Sequence, residues 1–299
     1  MGKAGMAWGR VLALGFALAL TLAAGACQKA APEAPKSITW LGSVDAALAD
    51  AKKNDRPILL DMVTDWCVWC KVLDESTYTD STFIQASRKF TMAKVDAEVD
   101  TATASKYHVG SYPTILLLKS DGTEIDRIVG YYRAPEFLKQ VEDYLAGRNT
   151  LAAMEAEAAT KGNDPTFVSG LADKYYGHGQ YEKAEATYLK FVDLDAKNTT
   201  GQADDALYSL ARLQRKSKNY AKARTYAQMI LDRYPTSDMF RPAHLEIAGS
   251  WKREGNLTTA RRLYLDYAKQ FPDDEDAPYA REQADTLAVK IAAANGKGA

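Results

Sequence analysis

The sequence predicts an α/β domain followed by an all-α repeat domain. From residue 38 to residue 147, short apolar runs typical of strands alternate with amphipathic runs typical of helices. From residue 150 to residue 294, the chain is rich in helix formers, and a pattern of tyrosine, leucine and alanine recurs at nearly constant spacing. A chain of 299 residues, with 46% hydrophobic and 26% charged residues, is long enough to bury the cores of two such domains.

The first 26 residues are predicted to be an export signal and not part of the fold. Lys3 and Arg10 precede an apolar run over 11–24, which is shorter than the roughly 20 residues that a membrane-spanning helix needs. Small residues and then Cys27 follow this run directly. The arrangement resembles the lipobox of bacterial lipoproteins, which implies cleavage before Cys27 and lipidation of its sulfur. Ordinary signal cleavage is the alternative, because Ala24 stands where such boxes usually carry leucine.

Residues 27–37 are predicted to be a tether between the lipid and the first domain. They are rich in Ala, Pro and Lys, a composition that favours extended backbone with a reach of roughly 3.1 Å per residue. In the lipoprotein family, Gln28 after the lipidated cysteine implies sorting to the outer membrane, so the expected location is the periplasmic side of that membrane. The formal net charge of −1 provides no broad positive field, which argues against a nucleic-acid partner.

The region 38–147 is predicted to fold as an α/β sandwich. Asp121-Gly122 lies between two apolar runs, which is a signal for a β-hairpin. The predicted elements are, in order, a helix over 43–53, a strand over 57–63, a helix after Trp66, a strand over 90–95, a helix near 100–107, strands over 114–119 and 124–129, and a helix over 134–146. Strands that alternate with helices and close on a hairpin and a final helix are typical of this class.

The chemistry is expected at Cys67 and Cys70, since the only other cysteine is Cys27. The pair follows an apolar strand and opens a helix, where unpaired backbone N–H groups and the helix dipole favour a thiolate. Cysteines of Cys-x-x-Cys motifs are reactive for this reason. We expect Cys67 to be the nucleophile and Cys70, one turn later and less exposed, to resolve the mixed disulfide.

Other uses of the two cysteines make demands that the sequence does not meet. A zinc site would need a second pair of ligands, and the histidines His108, His178 and His244 are isolated. Haem attachment would need a histidine after Cys70, where Lys71 stands. No metal or cofactor is therefore expected beyond the redox-active dithiol itself. A purely structural disulfide stays open as an alternative.

Several separate features make this region similar to thioredoxin-like proteins. The segment Trp66–Lys71 matches the active-site segment of that family, and Tyr112-Pro113-Thr114 matches the cis-proline loop that faces the dithiol and receives the substrate chain. Asp61 matches the buried acid that assists proton transfer for the resolving thiol, and Lys94 matches the lysine near that acid. Gly130 matches the glycine after the last strand. The resemblance implies the thioredoxin fold and thiol:disulfide exchange.

Within this superfamily, the segments 65–68 and 77–80 look like the C-terminal periplasmic domain of the transmembrane thiol-reductant transporter. That likeness implies that Asp74, four residues after Cys70, also tunes the thiols. Trp69 stands where thioredoxins carry proline and Tyr112 where they carry isoleucine, so the direction of net exchange stays open. Trp66 and Trp69 are candidates for an apolar surface on which a client lands.

Residues 150–294 are predicted to form about three helical repeats and a capping helix near 277–294. Tyr181, Tyr220 and Leu257 each precede an alanine by three residues, at spacings of 39 and 37. An apolar-small pair lies ten residues before each of them, and small residues at both places let two helices approach closely. The small residues are Ala172, Ala184, Ala211, Ala223, Ala248 and Ala260. The pattern resembles tetratricopeptide repeats, which implies a short solenoid.

Together these features predict a periplasm-facing, lipid-anchored thiol:disulfide oxidoreductase that reduces disulfides of exported proteins. The repeat domain is expected to select or position protein partners. A membrane thiol-reductant transporter is the implied electron donor, because a reductase in an oxidising compartment needs one that the chain itself does not supply. The alternatives are a disulfide oxidase or isomerase, and a non-enzymatic tetratricopeptide adaptor in cell-envelope assembly.

Overall fold

The computed structural model describes residues 37–296. The predicted signal over 1–26, the predicted lipidation site Cys27 and all but the last residue of the predicted tether lie outside the described residues. Between residues 37 and 296, no helix combines the length and the apolar character that crossing a membrane requires.

The first half of the described chain is built around a four-stranded sheet. Its strands are β1 (Ile58–Val63), β2 (Thr91–Asp96), β3 (Thr114–Leu118) and β4 (Glu124–Val129). They lie in the order β2-β1-β3-β4, with β1 and β2 parallel and β3 antiparallel to both of its neighbours. The ends of β1 and β2 and the start of β3 therefore meet at one end of the sheet.

Helices cover both faces of this sheet. They are α1 (Val44–Asn54), α2 (Val68–Glu75), α3 (Ser81–Ser87), α4 (Thr101–Lys106) and α5 (Ala134–Leu145). Alternate side chains of β1 point to opposite faces: Leu60 packs with residues of α1 and α4, whereas Leu59 packs with residues of α2, α3 and α5. Asp61 follows the same alternation, so it lies on the face of Leu59, which α2 covers.

The predicted α/β fold is confirmed, and each element predicted over 38–147 is present within a few residues of its expected bounds. The helix α3 was not predicted. The carboxylate of Asp80 caps it by accepting hydrogen bonds from the backbone N–H groups of Thr82 at 2.8 Å and Phe83 at 3.2 Å. The helix has only seven residues, which is too short for a helical period to stand out in the sequence.

The second half of the described chain consists of helices that pack in sequence order. They are α6 (Leu151–Lys161), α7 (Pro165–Gly177), α8 (Tyr181–Leu194), α9 (Ala203–Lys216), α10 (Tyr220–Arg233), α11 (Phe240–Glu254), α12 (Leu257–Gln270) and α13 (Ala277–Gly296). All six alanines that were predicted at close helix contacts are completely buried, which confirms that prediction. The helix α6 precedes the predicted repeats and was not anticipated.

The repeat helices are fastened to β4, which lies at one side of the sheet. The carboxylate of Asp126, on β4, accepts hydrogen bonds from the backbone N–H of Leu151 and from the ammonium of Lys174, both at 2.6 Å. The guanidinium of Arg127 donates to the backbone carbonyl of Gly177 at 3.1 Å. Such contacts cover a strand edge that would otherwise offer unpaired backbone groups to other chains.

Candidate active site

The two cysteines lie at the junction between β1 and α2. Cys67 is the N-cap of α2, and its sulfur accepts a hydrogen bond from the backbone N–H of Cys70 at 3.0 Å. The two residues are joined by a disulfide with an S–S distance of 2.09 Å. A helix N-terminus is where backbone N–H groups and the helix dipole stabilise negative charge, so a thiolate of Cys67 would be stabilised here.

The expectation that Cys70 is less exposed than Cys67 is wrong for this disulfide form. Each residue is 4% exposed. The side chains that project into solvent at this junction are instead Trp66, Val68 and Trp69.

Two aromatic pairs flank the disulfide. The ring of Trp66 meets that of Tyr112 edge-on with centroids 5.8 Å apart, and its indole N–H donates to a carboxylate oxygen of Glu98 at 2.9 Å. The ring of Trp69 stacks on that of Tyr131 with centroids 5.7 Å apart. Each tryptophan therefore packs against a neighbouring ring although more than half of it is exposed. An exposed aromatic surface of this kind is suited to binding an apolar segment of another protein.

The Tyr112–Pro113 peptide bond is cis, as the family resemblance implied. Pro113 directly precedes β3, whose Thr114 pairs with Met62 near the end of β1. The loop and the disulfide therefore lie at the same end of the sheet. The backbone carbonyl of Pro113 accepts a hydrogen bond from the N–H of Gly130 at 2.9 Å, so the predicted glycine after the last strand supports this loop.

Asp61 is a buried carboxylate with few partners. It is 1% exposed, and neither of its oxygen atoms has a hydrogen-bond partner within residues 37–296. The ammonium of Lys94, its register partner on β2, lies 3.5 Å away. Burial raises the pKa of Asp61 to about 7, against the lowering effect of the positive charge on Lys94. A group with this pKa can both take up and release a proton near neutral pH.

Lys94 links Asp61 to the surface of the protein. Its ammonium pairs with Asp74, which is roughly half exposed, as well as lying near Asp61. It also lies over the ring of Trp40, 4.6 Å from the centroid, and over the ring of Tyr78, 5.0 Å from the centroid. Lys94 thus lies between Asp74 and Asp61. The negative charge of Asp74 further raises the pKa of Asp61.

The structure thus gathers every predicted site residue of the described chain at one end of the sheet. It adds four residues that the sequence reasoning missed, namely Trp40, Tyr78, Glu98 and Tyr131. Glu98 carried a usable signal, because it follows β2 just as Cys67 follows β1, and the ends of parallel strands meet. Tyr78 lies in the segment 77–80 that resembles the transporter domain, whereas Trp40 and Tyr131 carried no comparable local signal. Across residues 37–296, no cluster of three or more His, Cys, Asp or Glu side chains is arranged to hold a metal ion.

Comparisons with known proteins support the same division of the chain. Over 110 residues the chain is 29% identical to the thiol:disulfide interchange protein DsbD of Campylobacter jejuni, an overlap that covers 36% of this chain and 19% of that protein. With DsbD of Yersinia enterocolitica the identity is 29% over 158 residues, covering 47% of this chain and 27% of that protein. The chain thus spans well under a third of the length of these relatives.

Among solved structures, the oxidised C-terminal domain of DsbD from Neisseria meningitidis aligns with 23% identity and a TM-score of 0.32, covering 36% of this chain and 99% of that one. Family models match two separate stretches. Residues 44–145 match the model of a thioredoxin-like domain, and residues 205–237 match that of a tetratricopeptide repeat. The chain therefore combines a thioredoxin-like domain, which contains Cys67 and Cys70, with a helical region in which one stretch matches a tetratricopeptide repeat.

Proposed function

We propose that the protein is a thiol:disulfide oxidoreductase that reduces disulfides of exported proteins through Cys67 and Cys70. The observation that carries the proposal is the pairing of a disulfide at the N-terminus of α2 with a buried carboxyl group, Asp61, whose pKa is about 7. A structural disulfide needs no proton carrier. An exchange reaction does, because each thiol must lose a proton before it attacks.

The reduced protein would act in two steps. The thiolate of Cys67 attacks one sulfur of the client disulfide, so that a Cys67–client disulfide forms and the other client sulfur leaves and takes up a proton. The thiol of Cys70 then loses its proton, with Asp61 as the base, and attacks the sulfur of Cys67. The client leaves as a thiol, and the Cys67–Cys70 disulfide forms. Two electrons pass from the dithiol to the client.

The surroundings of the disulfide are suited to a polypeptide client. Trp66 and Trp69 offer exposed rings, and Tyr112 and Pro113 lie beside them. An extended client segment could pack on these rings while its disulfide approaches Cys67. Lys94 and Asp74 would adjust the proton affinity of Asp61 and would not touch the client.

Turnover requires a donor that reduces the Cys67–Cys70 disulfide again. We propose a membrane thiol-reductant transporter for this role, since the relatives are named thiol:disulfide interchange proteins. The reduction potential distinguishes this proposal from that of an oxidase or isomerase. A value near about −270 mV is typical of a reductant and one near about −120 mV of an oxidant.

The proposed location is the periplasmic side of the outer membrane, with the chain anchored by a lipid on Cys27. The support is the sequence over 1–37 alone: a signal-like segment, a cysteine after small residues, and a Pro-rich tether. Cys27→Ser should then move the protein from the membrane fraction to the soluble periplasmic fraction. A wild-type protein that is already wholly soluble would contradict the anchor.

The proposed exchange reaction is tested by comparing Cys67→Ser with Cys70→Ser. With a thiol donor, the wild type should reduce a protein disulfide such as that of insulin, and Cys67→Ser should be inactive because the attacking sulfur is gone. Cys70→Ser should form the first covalent bond but fail to resolve it, so clients should accumulate in cells as adducts that a reductant releases. Full activity of Cys67→Ser, or no adduct with Cys70→Ser, would refute the proposal.

The repeat domain is proposed to bind protein partners, as tetratricopeptide repeats are built to do. The specific alternative is an adaptor in which the thioredoxin-like domain only binds. In that case the cellular phenotype that depends on this protein should survive the loss of both Cys67 and Cys70. Complementation of a deletion strain by the double serine variant distinguishes the two, because only an adaptor would work without the thiols.

A further inference from the structure

The segment that leads into the cis-proline loop lies between the two halves of the protein. It runs from Tyr107, at the end of α4, to Pro113, before β3. Gly110, three residues before Pro113, presents its backbone to the repeat helices. Tyr112 itself packs edge-on against Trp66, the neighbour of Cys67. A displacement of this segment would therefore move the aromatic rings beside the disulfide.

Repeat residues contact this segment directly. The ammonium of Lys216, the last residue of α9, donates a hydrogen bond to the backbone carbonyl of Gly110. A Cβ atom at position 110 would lie 2.7 Å from the hydroxyl oxygen of Tyr181 and 3.0 Å from the Nζ of Lys216. The absence of a side chain at Gly110 thus permits the close approach of both residues. A second close approach involves His108 of the same segment: a Cβ atom at Gly179 would lie 3.0 Å from the Cβ atom of His108.

The approach of Lys216 is not a chance contact of a mobile tail, because the surrounding helices are fixed to the sheet. Arg127 donates to the backbone carbonyl of Gly177, and Lys174 pairs with the fully buried Asp126. These contacts hold the end of α7 against β4. The turn that follows α7 carries Gly179 and leads into α8, which begins with Tyr181.

We propose that Lys216 is a positioning residue of the active site, which holds the Gly110–Pro113 segment in the orientation that receives a polypeptide client. This inference rests on the proposed exchange function and deepens it. A small disulfide needs only the sulfur of Cys67, whereas a polypeptide must also lie along the loop. Lys216 therefore acts on the binding of protein clients and not on the reactivity of the dithiol, and the repeat region is part of the client site as well as a recruiting surface.

The test compares Lys216→Met with Lys269→Met in the full-length protein. Lys269 is an exposed lysine of α12, in a different helical repeat, so its substitution makes the same change in net charge. Two substrates are used, insulin with a thiol donor and the small disulfide dithiobis(nitrobenzoate) with the pre-reduced protein. Loss of one charge-assisted hydrogen bond should raise the KM for insulin about 3- to 10-fold for Lys216→Met, with kcat nearly unchanged.

Three further results are expected. The rate with the small disulfide should stay within about twofold of the wild type, since the reactivity of Cys67 is untouched. Lys216→Arg should recover most of the KM for insulin, because it keeps a charged donor of similar length. Gly110→Ala should raise the KM for insulin as Lys216→Met does, because the added methyl group disturbs the same contact from the other side. This variant also keeps the test usable if Lys216→Met folds poorly.

The outcomes separate the inference from the function on which it rests. If the wild type reduces insulin but Lys216→Met behaves like Lys269→Met, the positioning role is wrong and the exchange function stands. An equal loss with insulin and with the small disulfide would also overturn the inference, because it would mean that Lys216 affects the dithiol or the fold as a whole. If the wild type reduces neither substrate, the exchange function itself fails.

Discussion

Two aspartates of one sheet show opposite uses of a buried carboxylate. Asp61 lies on β1 and Asp126 on β4, and both are almost completely buried. Burial alone would raise the pKa of Asp126, but contacts with His178 and Lys174 outweigh it and hold that pKa below its ordinary 3.8. Within the described chain, burial raises the pKa of Asp61 to about 7 and outweighs the ammonium of Lys94, 3.5 Å away, and the hydroxyl of Tyr78, which both lower that pKa.

The two groups are equally hidden from solvent, and the number and quality of their partners separate them. Asp126 accepts hydrogen bonds from two backbone N–H groups, those of Arg127 and Leu151, and from Lys174. A carboxylate so well satisfied stays charged and joins the two halves of the protein. Asp61 is poorly satisfied, so it gives up its charge near neutral pH. That property suits proton transfer beside a dithiol. At the position of Asp126 it would weaken the ion pair that connects the two halves of the protein.

The largest expected effect is the loss of stability in Asp126→Asn. The substitution leaves the ammonium of Lys174 buried without its counter-charge, which typically costs about 3–5 kcal/mol of unfolding free energy. Because the folded pKa of Asp126 is lowered, this contribution is present above the ordinary 3.8 and is lost as the pH falls through the folded value. Urea unfolding at neutral and acidic pH measures it.

The control for this variant is Asp193→Asn, which replaces an exposed aspartate of α8 and should change the unfolding free energy by less than about 0.5 kcal/mol. Equal stabilities of the two variants at neutral pH would contradict the structural role of Asp126.

Asp61→Asn should change the unfolding free energy in the opposite direction, by stabilising the protein. The folded protein holds the proton of Asp61 more tightly than the unfolded chain does between pH 3.8 and about 7, so the wild type loses stability as the pH rises through that window. Asparagine carries no charge and avoids this loss. At pH values above the folded pKa the variant should therefore be more stable than the wild type, by at most about 4 kcal/mol. Below the ordinary pKa of aspartate the advantage should vanish.

The same variant should be slower in turnover near neutral pH, where Cys70 needs a base, and less impaired at alkaline pH. Denaturant unfolding and insulin reduction across pH measure the two effects. A variant that is less stable than the wild type at alkaline pH would show that Asp61 is a structural group like Asp126.

The local patterns of the sequence predicted much of the fold and of the site. The strand-to-helix junction at Cys67 and the alternation along β1 follow from contacts between near neighbours, and so do the buried alanines of the repeats. Burial of Asp61 could be expected from its place between apolar residues of β1 and from the family resemblance. These features depend on periods of two or about 3.6 residues, which are visible in a single sequence.

Contacts between distant residues could not be predicted in this way. His178 is isolated in the sequence, yet its ring lies 3.3 Å from Asp126, 52 residues earlier. Lys216 reaches Gly110 across 106 residues, and Trp66 meets Glu98 across 32. Neither member of any of these pairs shows its partner in the local sequence, and only the packing of the repeat helices on β4 and of β2 beside β1 brings the pairs together. The tertiary fold therefore decides which of two similar aspartates is satisfied.

The most direct test of this account is an NMR titration of the carboxyl groups of Asp61 and Asp126 in one sample of the oxidised protein, with the Asp61 signal assigned by its absence in Asp61→Asn. We expect the Asp61 signal to titrate with a midpoint of about 7. The Asp126 signal should stay that of an ionised carboxylate down to pH values below 3.8. A midpoint for Asp61 near 3.8, or a midpoint for Asp126 at or above that of Asp61, would contradict the account.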